Sequence, residues 1–235
     1  MNILAIDTST QVLGVALLHD DKVVGEVMTN SKKNHSIRLM PAIHQLMEES
    51  NMNPNQLDRI VVAKGPGSYT GVRIGLSTAK TMAWALNIPV VGVSSLEVLA
   101  YQGRYFDGYI CPYFDARRNL VYTGLYQWKE NKLDVVKNDI NILLGDWLAP
   151  LKKEDKSIMF LSPDQQIHEE HIKEIIGERA IIPDPTFHIP RPAHLALAGT
   201  LKKADNTHEL APNYLRLAEA EAKWLKAQKD QQNHG

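Results

Sequence analysis

Cysteine is almost absent. One residue, Cys111, stands in 235, which excludes an intramolecular disulfide and a cysteine-ligated zinc site. It lies in an apolar, strand-like stretch and reads as a small buried hydrophobe, in keeping with a reducing compartment. An excess of one charge sign is missing too. The 26 Lys and Arg oppose 27 Asp and Glu, for a formal net charge of −1, so no global basic field is available to hold nucleic acid. No run approaches the ~20 apolar residues of a membrane span. The stretch Met1–Asp7 lacks the basic region and the length of a signal peptide. The expected location is cytoplasmic, without membrane contact. Metal ligands are sparse. His35 and His44 point to roughly opposite sides of a helix, and His168 and His171 flank Glu169-Glu170 on what reads as a solvated acidic face. No metal site and no Gly-x-Ser-x-Gly nucleophile elbow are expected.

Glycine is unevenly spread. Residues 65–75 read Gly-Pro-Gly-Ser-Tyr-Thr-Gly-Val-Arg-Ile-Gly, between a strand-like Ile60–Ala63 and a long Ala/Leu-rich helical pattern. Strand, glycine turn and helix start is a place where backbone N–H groups and the helix dipole favour anions. The run is neither of the familiar phosphate loops. Val72-Arg73 replaces the Lys-Ser/Thr of a Walker A loop, and Thr70 stands where a dinucleotide fingerprint needs its last glycine. A tight structural turn is the competing reading.

The first half has a regular rhythm. Asn2–Asp7, Val12–His19 and Lys22–Thr29 read as three strands joined by short turns. A helix follows over 34–50, then a strand over 59–64, a helix over 68–87, a strand over Val90–Val93 and a helix near Leu96–Tyr101. This βββαβαβα order is that of a ribonuclease-H-like domain, the unit of actin-like (ASKHA) α/β folds. The expected division is a first domain over 1–103, a smaller and less regular α/β domain over 104–216, and a polar tail over 217–235 forming a frayed helix. No internal repeat is visible.

Apolar residues on the first long helix cover about half its circumference, and on the second nearly all of it. That surplus calls for burial by a partner or by the second half of the chain. Asp7-Thr8-Ser9 ends the first strand, where actin-like ATPases place metal–water and phosphate contacts. An Asx or Ser/Thr turn accounts for the same residues. Such an ATPase needs two further glycine loops in its second domain, whereas after Gly124 only Gly145, Gly177, Gly199 and Gly235 remain. Few other residues accept the backbone conformations those loops require. Asp115 with Arg117 and Arg118 suggests an ion-paired hairpin or a small anion patch.

Taken together, Asn2–Thr10, the helix from His35, the 65–75 run with Ser77-Thr78-Ala79-Lys80, Asp115-Ala116-Arg117-Arg118 and Pro212-Asn213-Tyr214-Leu215-Arg216 resemble the TsaB (YeaZ) family over about residues 1–216. The resemblance implies a shortened paralogue of the transferase TsaD, acting in threonylcarbamoylation of the tRNA adenosine beside the anticodon. TsaD and the ATPase TsaE are the implied partners, with a homodimer when the chain is alone and tRNA met only through the complex. TsaD holds its metal with His-x-x-x-His on the first helix. Here His35 matches the first position and Leu39 replaces the second, so one imidazole is left where two are needed. The resemblance therefore implies a catalytically silent subunit without a cofactor of its own. His35, Ile37, Met40, Ile43, Tyr69, Val72, Arg73, Leu76 and Lys80 are expected at the partner interface. Asp7, Thr8, Ser9, Gly65, Gly67, Ser68, Thr70 and Gly71 are expected near a nucleotide held at that interface. The alternatives are an independent actin-like ATPase or kinase, and a metallopeptidase-like protein.

Overall fold

The computed structural model describes residues 1–31 and 34–215. The expected tail over 217–235 lies outside them. The first lobe opens with β1 (Asn2–Asp7), β2 (Val12–His19) and β3 (Lys22–Asn30). These strands are joined antiparallel, with Asp20 supplying a left-handed turn residue at φ 52°. β4 (Arg59–Ala63) and β5 (Val90–Val93) add parallel to β1, giving the order β3-β2-β1-β4-β5. The buried parts of β1, β4 and β5 are almost wholly apolar because both sheet faces are covered. Helices α1 (His35–Glu49) and α2 (Tyr69–Leu86) cover one face. α1 starts where the Asn34 side chain accepts the Ser36 N–H, and α2 where Ser68 Oγ accepts the Gly71 N–H; α2 stops at Asn87 in the left-handed conformation. α3 (Ser95–Ala100) completes the expected βββαβαβα order.

The second half is more regular than its sequence. β6 (Tyr109–Asp115), β7 (Leu120–Lys129) and β8 (Lys132–Leu143) form an antiparallel meander. After α4 (Leu144–Leu151), β9 (Ile158–Leu161) pairs parallel to β6. After α5 (Gln165–Ile176), β10 (Ala180–Ile181) pairs parallel to β9. Read from its other end, the sheet is β8-β7-β6-β9-β10, the order of the first lobe repeated. The repeat escapes the sequence because β10 is two residues long and β8 is a bulged edge strand with Val135, Val136 and Ile140 exposed.

The last helix, α6 (Pro192–Thr200), crosses back to the uncovered face of the first sheet. Its Ala193, Leu195, Ala196 and Ala198 share a core with Ile3, Ala5, Val61 and Val91. The approach is close: a Cβ at Gly199 would lie 2.4 Å from the Val61 side chain. The chain then runs along the β5 edge as a strap. Asp205 N–H donates to Val90 O at 2.9 Å, Asp205 Oδ2 accepts the Gly92 N–H at 2.7 Å, and Leu210 enters the first core. The expected second unit of 104–216 therefore gives up α6 and the strap to the first lobe. Between the lobes, Leu96, Leu99 and Ala100 of α3 pack on Ile110, Phe114 and Tyr126, and Ser94 Oγ donates to Asp139 Oδ2 at 2.5 Å.

Candidate functional site

The glycine run is filled by the chain itself. Ser68 N–H donates to Ser9 O at 2.7 Å and Thr8 Oγ1 to Gly71 O at 2.7 Å, so the β1–β2 turn sits directly on the start of α2. A Cβ at Gly67 would lie 2.1 Å from Ser9 O, one at Gly71 2.1 Å from Thr8 O, and one at Gly75 2.5 Å from Thr8 Oγ1. These glycines permit two backbones to touch, and the space they leave is not free for phosphate. Gly65 takes φ 93° ahead of a cis bond to Pro66. It is buried, as are Gly71, Asp7, Thr8 and Ser9. Asp7 Oδ1 accepts the Ser9 N–H at 2.8 Å. Burial pushes the Asp7 carboxyl above its usual range, opposed by that hydrogen bond.

Of the eight residues expected near a nucleotide, Ser9, Gly67, Ser68 and Thr70 line an inter-lobe cleft of about 590 Å³, and Asp7, Thr8, Gly65 and Gly71 do not. The opposite wall carries Phe114, Asp115, Ala116, Arg117, Tyr122, Pro163 and Asp164. Asp115 Oδ1 lies 3.0 Å from His168 Nε2, and Asp115 N–H donates to Asp164 Oδ2 at 3.1 Å. His168 is thus buried and paired rather than part of a solvated acidic face. Two carboxylates oppose one guanidinium on this wall, and the glycine turn is packed shut. No cluster of three or more His, Cys, Asp or Glu suited to a metal occurs among the described residues.

The expected interface divides in two. Ile43, Val72 and Leu76 are 2%, 3% and 4% exposed. Ile43 and Leu76 belong to the core between the helices and the first sheet, and Val72 packs beneath Gly65. This is a correction to the expectation: residues enclosed by their own chain are not available to a partner. Lys80 is bound to the strap, its Nζ donating to Leu210 O at 2.8 Å. His35 Nε2 lies 2.8 Å from Thr10 O and fastens α1 to the β1–β2 turn. What remains outside is Ile37 at 70%, Met40 at 50% and Tyr69 at 46% exposure, with Arg73. Arg73 stacks on Tyr69 at 3.9 Å and donates from Nε to Tyr214 Oη at 2.6 Å, while Tyr69 and Tyr214 stack at 5.4 Å.

Two features of this face were not anticipated. Trp84, on the outward side of α2, is 70% exposed. A groove of about 600 Å³ between the two helices is lined by Met40, Met47, Met52 and Met82 together with Ile43 and Pro54. Flexible thioethers suit a surface that receives another apolar one. Helical spacing held part of the signal: Leu39, Ile43, Leu46 and Met47 form one stripe of α1, whereas Ile37 and Met40 fall on another.

A family model described as TsaD, tRNA N6-adenosine threonylcarbamoyltransferase, matches residues 21–224. The tRNA threonylcarbamoyladenosine biosynthesis protein TsaB of Bacillus subtilis is 55% identical over 229 residues, covering 97% of this chain and 100% of the relative. Its Escherichia coli counterpart is 31% identical over 163 residues, covering 63% of this chain and 70% of the relative. Among solved structures, YeaZ from Pseudomonas aeruginosa superposes with a TM-score of 0.79 at 26% identity, covering 91% of this chain and 99% of that one. With its repeated strand order and a relative matched from end to end, the chain belongs to the TsaB (YeaZ) family, a branch of the wider TsaD family.

Proposed function

We propose that this chain is a non-catalytic subunit that binds and activates TsaD for threonylcarbamoylation of the tRNA adenosine beside the anticodon, docking through the outer face of α1 and α2. Membership of the family carries the coarser statement, a part in tRNA threonylcarbamoyladenosine biosynthesis. The observation that supports the finer one is the set of large apolar side chains left in solvent on two adjacent helices, Ile37, Met40, Tyr69 and Trp84, with a methionine-lined groove that Met40 borders. Large apolar side chains exposed along one helical layer are the kind of surface that associates. The packed glycine turn and the carboxylates across the cleft support a silent role. In this reading the same face forms a homodimer when TsaD is absent, TsaE joins the assembly, and tRNA is met only through the complex. A nucleotide trapped at the interface would meet Ser68 and Thr70 of this chain.

The test is the full chain carrying Ile37→Asp and Trp84→Asp, mixed with TsaD of the same organism and followed by light scattering on a sizing column. Both sites are exposed, so the monomer should keep its fold. Binding should weaken at least ~30-fold, the loss that ~2 kcal/mol at a hot spot produces. A double variant that binds TsaD like the parent would overturn the assignment of the face. ATP turnover by the isolated parent chain would overturn its silence.

A further inference from the structure

We propose that the methionine-lined groove between α1 and α2 is a reversible oxidation site, in which a peroxide converts the Met40 thioether to a sulfoxide and thereby releases the docking partner of the helical face. The release rests on the reading of that face given above; the site of oxidation does not.

Sulfur is concentrated here. Of the seven methionines in the chain, Met40, Met47, Met52 and Met82 line this one groove, so its walls carry most of the chain's thioethers. They converge from three stretches: α1 supplies Met40 and Met47, the turn after it Met52, and α2 Met82. Their access is graded. Met40 is 50% exposed, Met52 and Met82 are half-buried, and Met47 belongs to the core beneath at 5%. Outside the groove, Met28 and Met159 are half-buried and Met1 is 39% exposed. The one thiol offers no competing route. Cys111 is buried, and burial raises its thiol to about 11, which leaves little thiolate to react. Met40 is thus the most accessible sulfur of the chain, and it stands on the face proposed to dock. The step needs only a peroxide. A sulfur lone pair takes one oxygen atom, the O–O bond breaks and water leaves, so the sulfur loses two electrons and the peroxide gains them. The product is polar where an apolar side chain has to be covered. Methionine sulfoxide reductases return the thioether, which makes the change a switch.

To test this, the full chain is treated briefly with hydrogen peroxide, quenched and mapped by peptide mass spectrometry. Its affinity for untreated TsaD is measured before and after. Met40 should gain oxygen at least about tenfold faster than Met47, which reacts only when the groove opens locally. The same treatment should weaken TsaD binding at least about tenfold, the effect of burying one unpaired polar group. Incubation with methionine sulfoxide reductases should restore it. Met40→Leu is compared with its own untreated form, so any effect of the substitution itself cancels. Its affinity should hold through treatment, although Met1 is oxidised as in the parent. Oxidation of Met40 no faster than of Met47, unchanged binding by the Met40 sulfoxide, or an equal loss in treated Met40→Leu would each overturn the inference. An untreated chain that ignored TsaD would overturn the reading of the face, and the release with it, while the peptide map would still report the order of oxidation.

Discussion

Replacing Gly71 by alanine separates a structural glycine from a ligand-binding one. The new Cβ would lie 2.1 Å from the carbonyl oxygen of Thr8, more than an ångström inside ordinary contact. Neither side yields easily, because Thr8 Oγ1 is bonded to Gly71 O and Ser9 O to the Ser68 N–H. Separating the two backbones disrupts both hydrogen bonds, at about 1 kcal/mol each and more if a buried group is left unpaired. Overpacking adds ~1–3 kcal/mol, and alanine in a helix returns up to ~1 kcal/mol relative to glycine. The net expectation is a loss of about 2–4 kcal/mol in urea unfolding of the isolated chain, with no ligand present. Gly145→Ala is the control: its Cβ would meet only His171 Nε2, at 3.9 Å, and it should be neutral or stabilising by up to ~1 kcal/mol. If Gly71→Ala unfolded like the parent and lost only partner or ligand binding, the glycine run would face outward and the packing account would be wrong.

Other outcomes follow from the same coordinates. Leu195→Ala, a fully buried α6 position in the core of the first lobe, should cost about 2–5 kcal/mol in chemical denaturation, and a fragment of residues 1–103 should fail to unfold cooperatively. Burial, then the charges of Arg191 and Arg104, push the His194 imidazole down to about 4. Its neutral form is therefore favoured in the fold, and stability is full above the unfolded value of 6.5 and declines as pH falls towards 4. Relative to His194→Gln, the parent should lose about 2 kcal/mol between pH 7 and pH 5 in urea titrations; parallel pH profiles would refute this. Burial pushes the Cys111 thiol up to about 11, so at pH 8 a thiol reagent should label it only as fast as the protein opens.

The first lobe was legible because its signals are local. Asp20-Asp21 turns β2 into β3, Ser68 caps α2, and the buried strands are unbroken apolar runs. In the second lobe β8 carries the exposed residues of an edge, and β10 is too short to show a period. That α6 belongs to the first sheet depends on contacts such as Gly199 to Val61, which no local pattern encodes. The site shows the same division. Composition located the glycine run and the apolar surplus of both helices. It did not show that Thr8 fills the space beside Gly71, or that Val72 and Leu76 face inward while Trp84 faces out. Those are decided by packing between segments 60 or more residues apart.

The internal repeat explains why the two halves of the cleft differ chemically. In the first lobe the central strand β1 ends at the Thr8–Gln11 turn, and the neighbouring β4 leads through Gly65–Ser68 into α2, with Gly67 allowing backbone to approach backbone. In the second lobe the central strand β6 ends at Ala116–Asn119, and β9 leads through Ser162-Pro163-Asp164 into α5. Where the first lobe uses a glycine, the second uses a carboxylate: Asp164 Oδ2 accepts the Asp115 N–H and occupies the end of the strand. The β6–β7 hairpin then turns on three successive non-glycine residues with positive φ, Arg117 at 65°, Arg118 at 57° and Asn119 at 60°. These exposed residues are held in the turn by backbone hydrogen bonds, Ala116 N–H to Leu120 O at 2.9 Å, Leu120 N–H to Arg117 O at 3.1 Å and Leu144 N–H to Asn119 O at 2.9 Å. A phosphate bridging the lobes would meet a packed backbone on one side and two carboxylates on the other. The strand order is repeated in the two lobes, while the chemistry of the two walls is not.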